Sequence, residues 1–256
     1  MADSPPSKAA PPKFYKYRSL EGQASEWVER IVCQHEIYFA AAVTFNDPFD
    51  LRPPVSLDAP KAVQLAEHVR LAKKLGPPLS RQALRAEARS VVKAALNPRK
   101  QAETTEIFQA LHTDYIKHQV GIFCVSTKRD DILMWSHYGD SHRGVCIEFD
   151  GTAKLMGQAH EVSYSKHRPV INFYGDNNRE ALNKTLLTKS DHWLYESEWR
   201  LFRAKEGPGV EEIRPNNVTG IIIGAEASES VRQKVLQWAA ARLVPMTIYQ
   251  DRKSVV

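Results

Sequence analysis

Between Pro53 and Gln119 the chain changes character, and then changes back. Inside that block Ala, Leu, Lys, Arg, Glu and Gln dominate, apolar residues fall at helical spacing, and breaks come at Gly76-Pro77-Pro78 and Asn97-Pro98. Two or three helices are predicted there. On either side the apolar runs are short and strand-like, bounded by turn residues. A sheet must therefore be assembled from segments that precede and follow a helical insertion. The expected fold class is α+β, with a mixed, mostly antiparallel sheet, rather than a regular doubly wound one. One domain is expected over residues 13–256, with 53–119 as the helical insertion or lid.

Lys13-Phe14-Tyr15-Lys16-Tyr17-Arg18 alternates aromatic and basic residues, as a strand with two faces does. Ser19 is expected to cap a helix running through Trp27, Val28, Ile31 and Val32. A strand over 36–42 ends at Phe45-Asn46-Asp47-Pro48-Phe49-Asp50, where short polar side chains and proline make a turn. Further strands are predicted over 121–126, 145–149, 161–164, 198–204, 220–224 and 246–249. Helices are predicted from Asp130 or Asp131 to Gly139, and over 176–187 and 230–243.

Composition narrows the class. The chain has 256 residues, 43% hydrophobic and 25% charged, which is ordinary for a globular protein. No run of about 18 apolar residues suggests a membrane span. Residues 1–12 are rich in Pro, Ala and Ser, lack the apolar stretch of a secretory signal, and read as a loose tail. Cys33, Cys124 and Cys146 show no C-x-x-C spacing. Reduced thiols without a signal favour the cytoplasm. A net charge of +5 permits a polyanionic ligand without requiring one.

Three constellations carry chemistry. Arg18 leaves a strand and offers a rigid fork of donors for phosphate or carboxylate, although a surface arginine is the commoner outcome. Ser126-Thr127 is followed by Met134-Trp-Ser-His-Tyr-Gly-Asp-Ser-His142, a dense polar segment. Its histidines, His137 and His142, are not at the i, i+4 spacing of a helical zinc motif, and no metal is expected. Trp193-Leu-Tyr-Glu-Ser-Glu-Trp-Arg200 sets Glu196 and Glu198 two apart, which on an extended segment puts both on one side. Arg200 can compensate them, and a structural Glu–Arg ladder accounts for the pattern equally well. Lys189 and His192 add polar groups that could face the same cleft. Walker, Gly-x-Gly-x-x-Gly and Gly-x-Ser-x-Gly signatures are missing, so kinase, Rossmann and α/β-hydrolase readings fall away.

Four of these segments, Phe14–Arg18, Phe45–Asp50, Leu133–Gly144 and Trp193–Arg200, together resemble the prokaryotic domain of unknown function 2971 family. The order of an arginine on a first strand, Ser-Thr ending a middle strand and Glu-x-Glu at a late strand is also similar to the Arg–Ser–Glu class of ADP-ribosyltransferases. That resemblance implies a split sheet like the ADP-ribosyltransferase core and NAD as substrate. Arg18 would hold the phosphates or the nicotinamide ribose, Ser126 and Thr127 would support the site, and His137 and Tyr138 would stack on or bond nicotinamide. Glu198 would bond the ribose 2′-hydroxyl, with Glu196 serving the acceptor. Lys128 stands where the family has a second serine, and the helical insertion is unusual for that fold. The implied activity is NAD-dependent ADP-ribosyl transfer or NAD hydrolysis by a toxin or anti-phage defence effector. Its acceptor would be a protein or nucleic acid, with an antitoxin or regulatory protein as a further partner. Two rivals stand beside it: a metal-independent nuclease using His137, His142 and Arg18, and a nucleotide-binding sensor without chemistry.

Overall fold

The computed structural model describes residues 10–75, 77, 79–95 and 97–251. Most of the tail expected over 1–12 lies outside them, as do Gly76 and Pro78 of the first expected break. The chain opens with β1 (Lys13–Arg18), α1 (Ala24–Glu29), β2 (Glu36–Ala41), β3 (Val55–Ser56), α2 (Lys61–Leu75), α3 (Arg81–Ala95) and α4 (Pro98–Gln119). It continues with β4 (Val120–Ser126), α5 (Ile132–Tyr138), β5 (Val145–Asp150), β6 (His160–Glu161), β7 (Ser163–Ser165) and β8 (Ile171–Asn172). Then follow α6 (Asn178–Leu186), β9 (Thr188–Ser190), β10 (Glu198–Ala204), β11 (Gly209–Glu212), β12 (Val218–Ile223), α7 (Glu229–Ala241) and β13 (Thr247–Gln250).

These elements fall into two compact units. The first takes the chain up to Asn46, Lys117–Lys166 and the chain from Lys189 onward. It holds the main sheet, in the order β11-β2-β4-β1-β5-β12-β13, with β10 on β4 and β6 on β10. Strand pairs in this sheet are antiparallel, except the parallel pair β12–β13. The fold class is therefore α+β, with a mixed, mostly antiparallel open sheet. One face buries Phe14, Phe123, Phe149, Trp199 and Ile221 with Val28 and Ile31 of the first helical segment and Val235 and Trp238 of α7. The other face packs Tyr17, Cys146 and Ile222 under Met134 and Trp135 of α5. Tyr17 meets Trp135 edge-on at 5.0 Å, a favoured aromatic geometry.

The second unit joins Asp47–Ile116 to His167–Thr188, so the helical block is accompanied by a stretch from much later in the chain. Val55↔Ile171 and Ser56↔Asn172 pair in parallel. Phe108 and Phe173 pack at 4.2 Å, and His112 meets the Thr185 hydroxyl at 3.0 Å. Asn97 accepts the Arg99 amide at 3.0 Å and starts α4, with Pro98 in the first helical position where its missing N–H costs nothing. Asn177 and Glu180 form a complete capping box on α6.

Three local expectations change. Ser19 accepts the amide of Glu21 in a tight turn, and α1 starts later, after Gln23, without a side-chain cap. The strand expected over 161–164 is broken into β6 and β7. Glu196 ends a 3-10 turn, Asp191–Glu196, instead of lying on an extended segment with Glu198.

Candidate active site

The site grows out of a parting in the sheet. β10 pairs with β4 along its whole length, from Glu198↔Ser126 to Ala204↔Val120. The opposite side of β4 is shared: β1 meets it at Tyr15↔Ser126, and β2 at Ala40↔Ile122 and Ala41↔Gly121. Where β1 and β2 diverge, the Cys124 carbonyl accepts the Lys16 ammonium at 2.6 Å. A cavity of about 270 Å³ opens there, within the first unit. Its walls are β1 from Tyr15 to Arg18, Tyr38 and Ala40 of β2, and Ile122 to Ser126 of β4. Asn46, Met134, Tyr138, Lys189, Glu196 and Glu198 complete the lining.

At its acidic side two carboxylates converge on one ammonium. Ser197 adopts the left-handed conformation, with φ 44°, between the 3-10 turn and β10. This reversal lets Glu196 and Glu198 approach from different elements and meet Lys189, whose Nζ lies 2.5 Å from Glu196 Oε2 and 2.9 Å from Glu198 Oε2. Arg200 donates to both oxygens of Glu198, Nε at 2.8 Å and Nη2 at 3.1 Å. Tyr138 donates to Glu196 Oε1 at 2.6 Å and accepts from Asn46 at 3.2 Å. Burial alone would raise both carboxyls, and the outcomes diverge. Arg200, then Lys189, hold Glu198 well below the carboxylate range. For Glu196, burial and the neighbouring Glu198 outweigh Lys189, and its pKa is raised.

The basic side is different. Lys16 and Arg18, two apart on β1, share a face of the strand. Neither has a carboxylate partner among the described residues. Arg18 Nε is buried without any hydrogen-bond partner. Burial, and then repulsion from Arg18, lower the Lys16 ammonium to about 7.

Residues 134–201 match a family model described as a protein of unknown function, DUF2971. No curated protein matches the chain, and no solved structure does. The DUF2971 match covers Tyr138, Lys189, Glu196, Glu198 and Arg200, the whole acidic side of the cavity. It stops short of Lys16, Arg18 and Ser126, and carries no activity with it.

Of the residues singled out from sequence, Arg18, Ser126, Tyr138, Glu196 and Glu198 line one cavity. Ser126 is tied into the framework: its hydroxyl donates to the Glu196 carbonyl at 2.5 Å and accepts the Lys128 amide at 2.9 Å. Thr127 lies outside the cavity, on an adjoining depression with Tyr164 and Trp199, and its amide bonds the Ser197 carbonyl. His137 is exposed and stacks on Tyr195 at 5.9 Å, because α5 turns Tyr138 and not His137 inward. His142 stacks on Trp135 and bonds Asp251 at 2.7 Å, a structural role. His192 is exposed, whereas Lys189 is buried at the centre. Lys16 and Asn46 are the site residues that sequence reasoning missed. The i, i+2 spacing of Lys16 with Arg18 on a strand was the available signal for the first. Among the described residues no group of three or more His, Cys, Asp or Glu could hold a metal, and no helix is long and apolar enough to cross a membrane.

Proposed function

We propose that the cavity binds the nicotinamide–ribose end of NAD and that the protein cleaves its glycosidic bond, passing ADP-ribose to an acceptor or to water. The observation that carries this reading is the meeting of Arg18, Ser126 and Glu198, from three different strands, around one cavity. The volume is smaller than the usual pocket for a drug-sized ligand, so the adenosine end of the dinucleotide would lie outside. When the C–N bond breaks, its electron pair leaves with nicotinamide and positive charge builds on the ribose. A preplaced carboxylate then gains strength in the transition state. The two glutamates already hold a cation between them in Lys189. A developing ribosyl cation would meet that carboxylate pair only where Lys189 gives way. Glu198, ionised at neutral pH, is the group for the ribose. Glu196, with its raised pKa, would take the proton of an acceptor hydroxyl or water. In this reading the acceptor is a protein or nucleic acid and the role that of a toxin or defence effector.

The test is nicotinamide release from NAD by the purified chain, with and without cell extract. Release is expected, and Glu198→Gln is expected to lower it on the order of a hundredfold or more. One observation favours a second reading, a nucleotide sensor without chemistry: both Glu198 oxygens are already gripped by Arg200. In that case NAD would raise the melting temperature without turnover, and equally in Glu198→Gln. A nuclease finds less support, since His137 and His142 do not line the cavity with Arg18.

A further inference from the structure

We propose that Lys16 completes, with Arg18, a two-cation subsite for a doubly charged phosphoryl group at the basic side of the cavity. The inference rests on the reading of the cavity as a nucleotide site and adds both a residue and a charge requirement to it. The argument is one of compensation. Lys189 and Arg200 answer Glu196 and Glu198, charge for charge, through the contacts already described. Lys16 and Arg18 are left over, side by side on one strand face, both lining the cavity.

Leaving a cation out of water without a partner is costly, and folded proteins rarely retain two such groups together without a ligand to meet them. Arg18 Nε, buried and unbonded, is a donor waiting for an acceptor. Lys16 uses one donor on the Cys124 carbonyl and rests 4.2 Å from the centre of the Phe123 ring, which leaves further N–H bonds for a ligand. A planar fork beside a compact ammonium suits phosphoryl oxygens, and two charges call for a dianion. Either the diphosphate bridge of a dinucleotide or a terminal phosphate monoester supplies that chemistry.

A purely structural role for Lys16, filling the hydrogen bond that the parted strands leave on β4, makes a different forecast. Structural duty would make Lys16→Met less stable and leave anion binding alone. Ligand duty impairs anion binding in Lys16→Met whatever becomes of its stability, since the bond to the Cys124 carbonyl is lost in either case.

The experiment is calorimetric titration of the full chain at about pH 8 with ADP-ribose and, separately, ribose 5-phosphate, in two buffers of different ionisation enthalpy. Neither probe changes its own charge near that pH. Titratable groups sharing the cavity with Lys16 are Arg18, Tyr15 and Tyr17 on its own strand, Tyr38 on β2, Cys124 on β4, Tyr138 on α5 and the Lys189–Glu196–Glu198 cluster. Burial keeps Cys124 and Tyr138 protonated, and Glu198 stays ionised. An anion arriving beside Lys16 should draw a proton onto it. We expect at least one probe to bind with proton uptake, Lys16→Met to weaken it on the order of tenfold and abolish the uptake, and Lys16→Arg to keep affinity without uptake. Binding of ribose 5-phosphate alone would uphold the subsite and count against a dinucleotide. Failure of both probes, or wild-type affinity and uptake in Lys16→Met, would overturn the proposal, whatever the nicotinamide assay reports.

Discussion

Glu198 illustrates what a carboxylate requires in order to stay ionised out of water. Its side chain is buried, and three N–H bonds from Arg200 and Lys189 replace its hydration. Removing one partner strands the charge, so Arg200→Met should cost about 3–5 kcal/mol in urea unfolding. The pH dependence has a definite sign. Because the folded value lies below the ordinary 4.5, Glu198 contributes stability above that value and loses it as pH falls beneath it. In Glu198→Gln, melting temperature should therefore decline less steeply with acid below about pH 4 than in the wild type. Arg200 was legible as the compensating cation, because it sits two residues along the same strand. The central position of Lys189 was not, since it lies on the short strand β9 and a 3-10 turn, not strand periodicity, brings Glu196 back to it. Lys16 was hidden for another reason: in an alternating aromatic–basic strand, a lysine looks like a solvated one until its neighbours are known.

At the scale of elements, end signals do much of the positioning. Asp131 accepts the amides of Leu133 and Met134 at 2.9 and 3.1 Å and so starts the short helix α5, which delivers Tyr138 to Glu196. Asp131→Ala should lower stability by about 1 kcal/mol and loosen the Tyr138–Glu196 contact, read as weaker protection of the α5 amides in hydrogen exchange. A start at Asp130 or Asp131, an end near Gly139 and two or three helices in the central block were readable from sequence, because caps and 3.6-residue spacing are local signals. The strand Gly209–Glu212 was not, since GVEE has no alternation and gains its form from pairing with β2. The reversal at Ser197 was hidden for a similar reason. A left-handed serine between two glutamates is set by tertiary contacts, including Thr127 N to the Ser197 carbonyl at 3.2 Å.

Across the whole first unit, one arginine gathers distant segments. Arg242, at the end of α7, donates to the carbonyls of Val32, Pro215, Val218 and Val244. Arg242→Met would leave these buried acceptors unanswered and should cost about 3 kcal/mol, measured by chemical denaturation, with no direct change to the cavity lining. That strands precede and follow a helical block in the sequence is legible from composition and spacing. The order in which they pair is not, because the registers join partners far apart in the chain, as in Tyr15↔Ser126. The parting between β1 and β2 belongs to this scale as well. Unsatisfied strand margins usually invite a foreign chain to extend the ladder, and that is the route to fibres. Here they face inward across a gap, where Lys16 already takes up the Cys124 carbonyl. A side-chain ammonium thus takes the place that a neighbouring strand would otherwise fill.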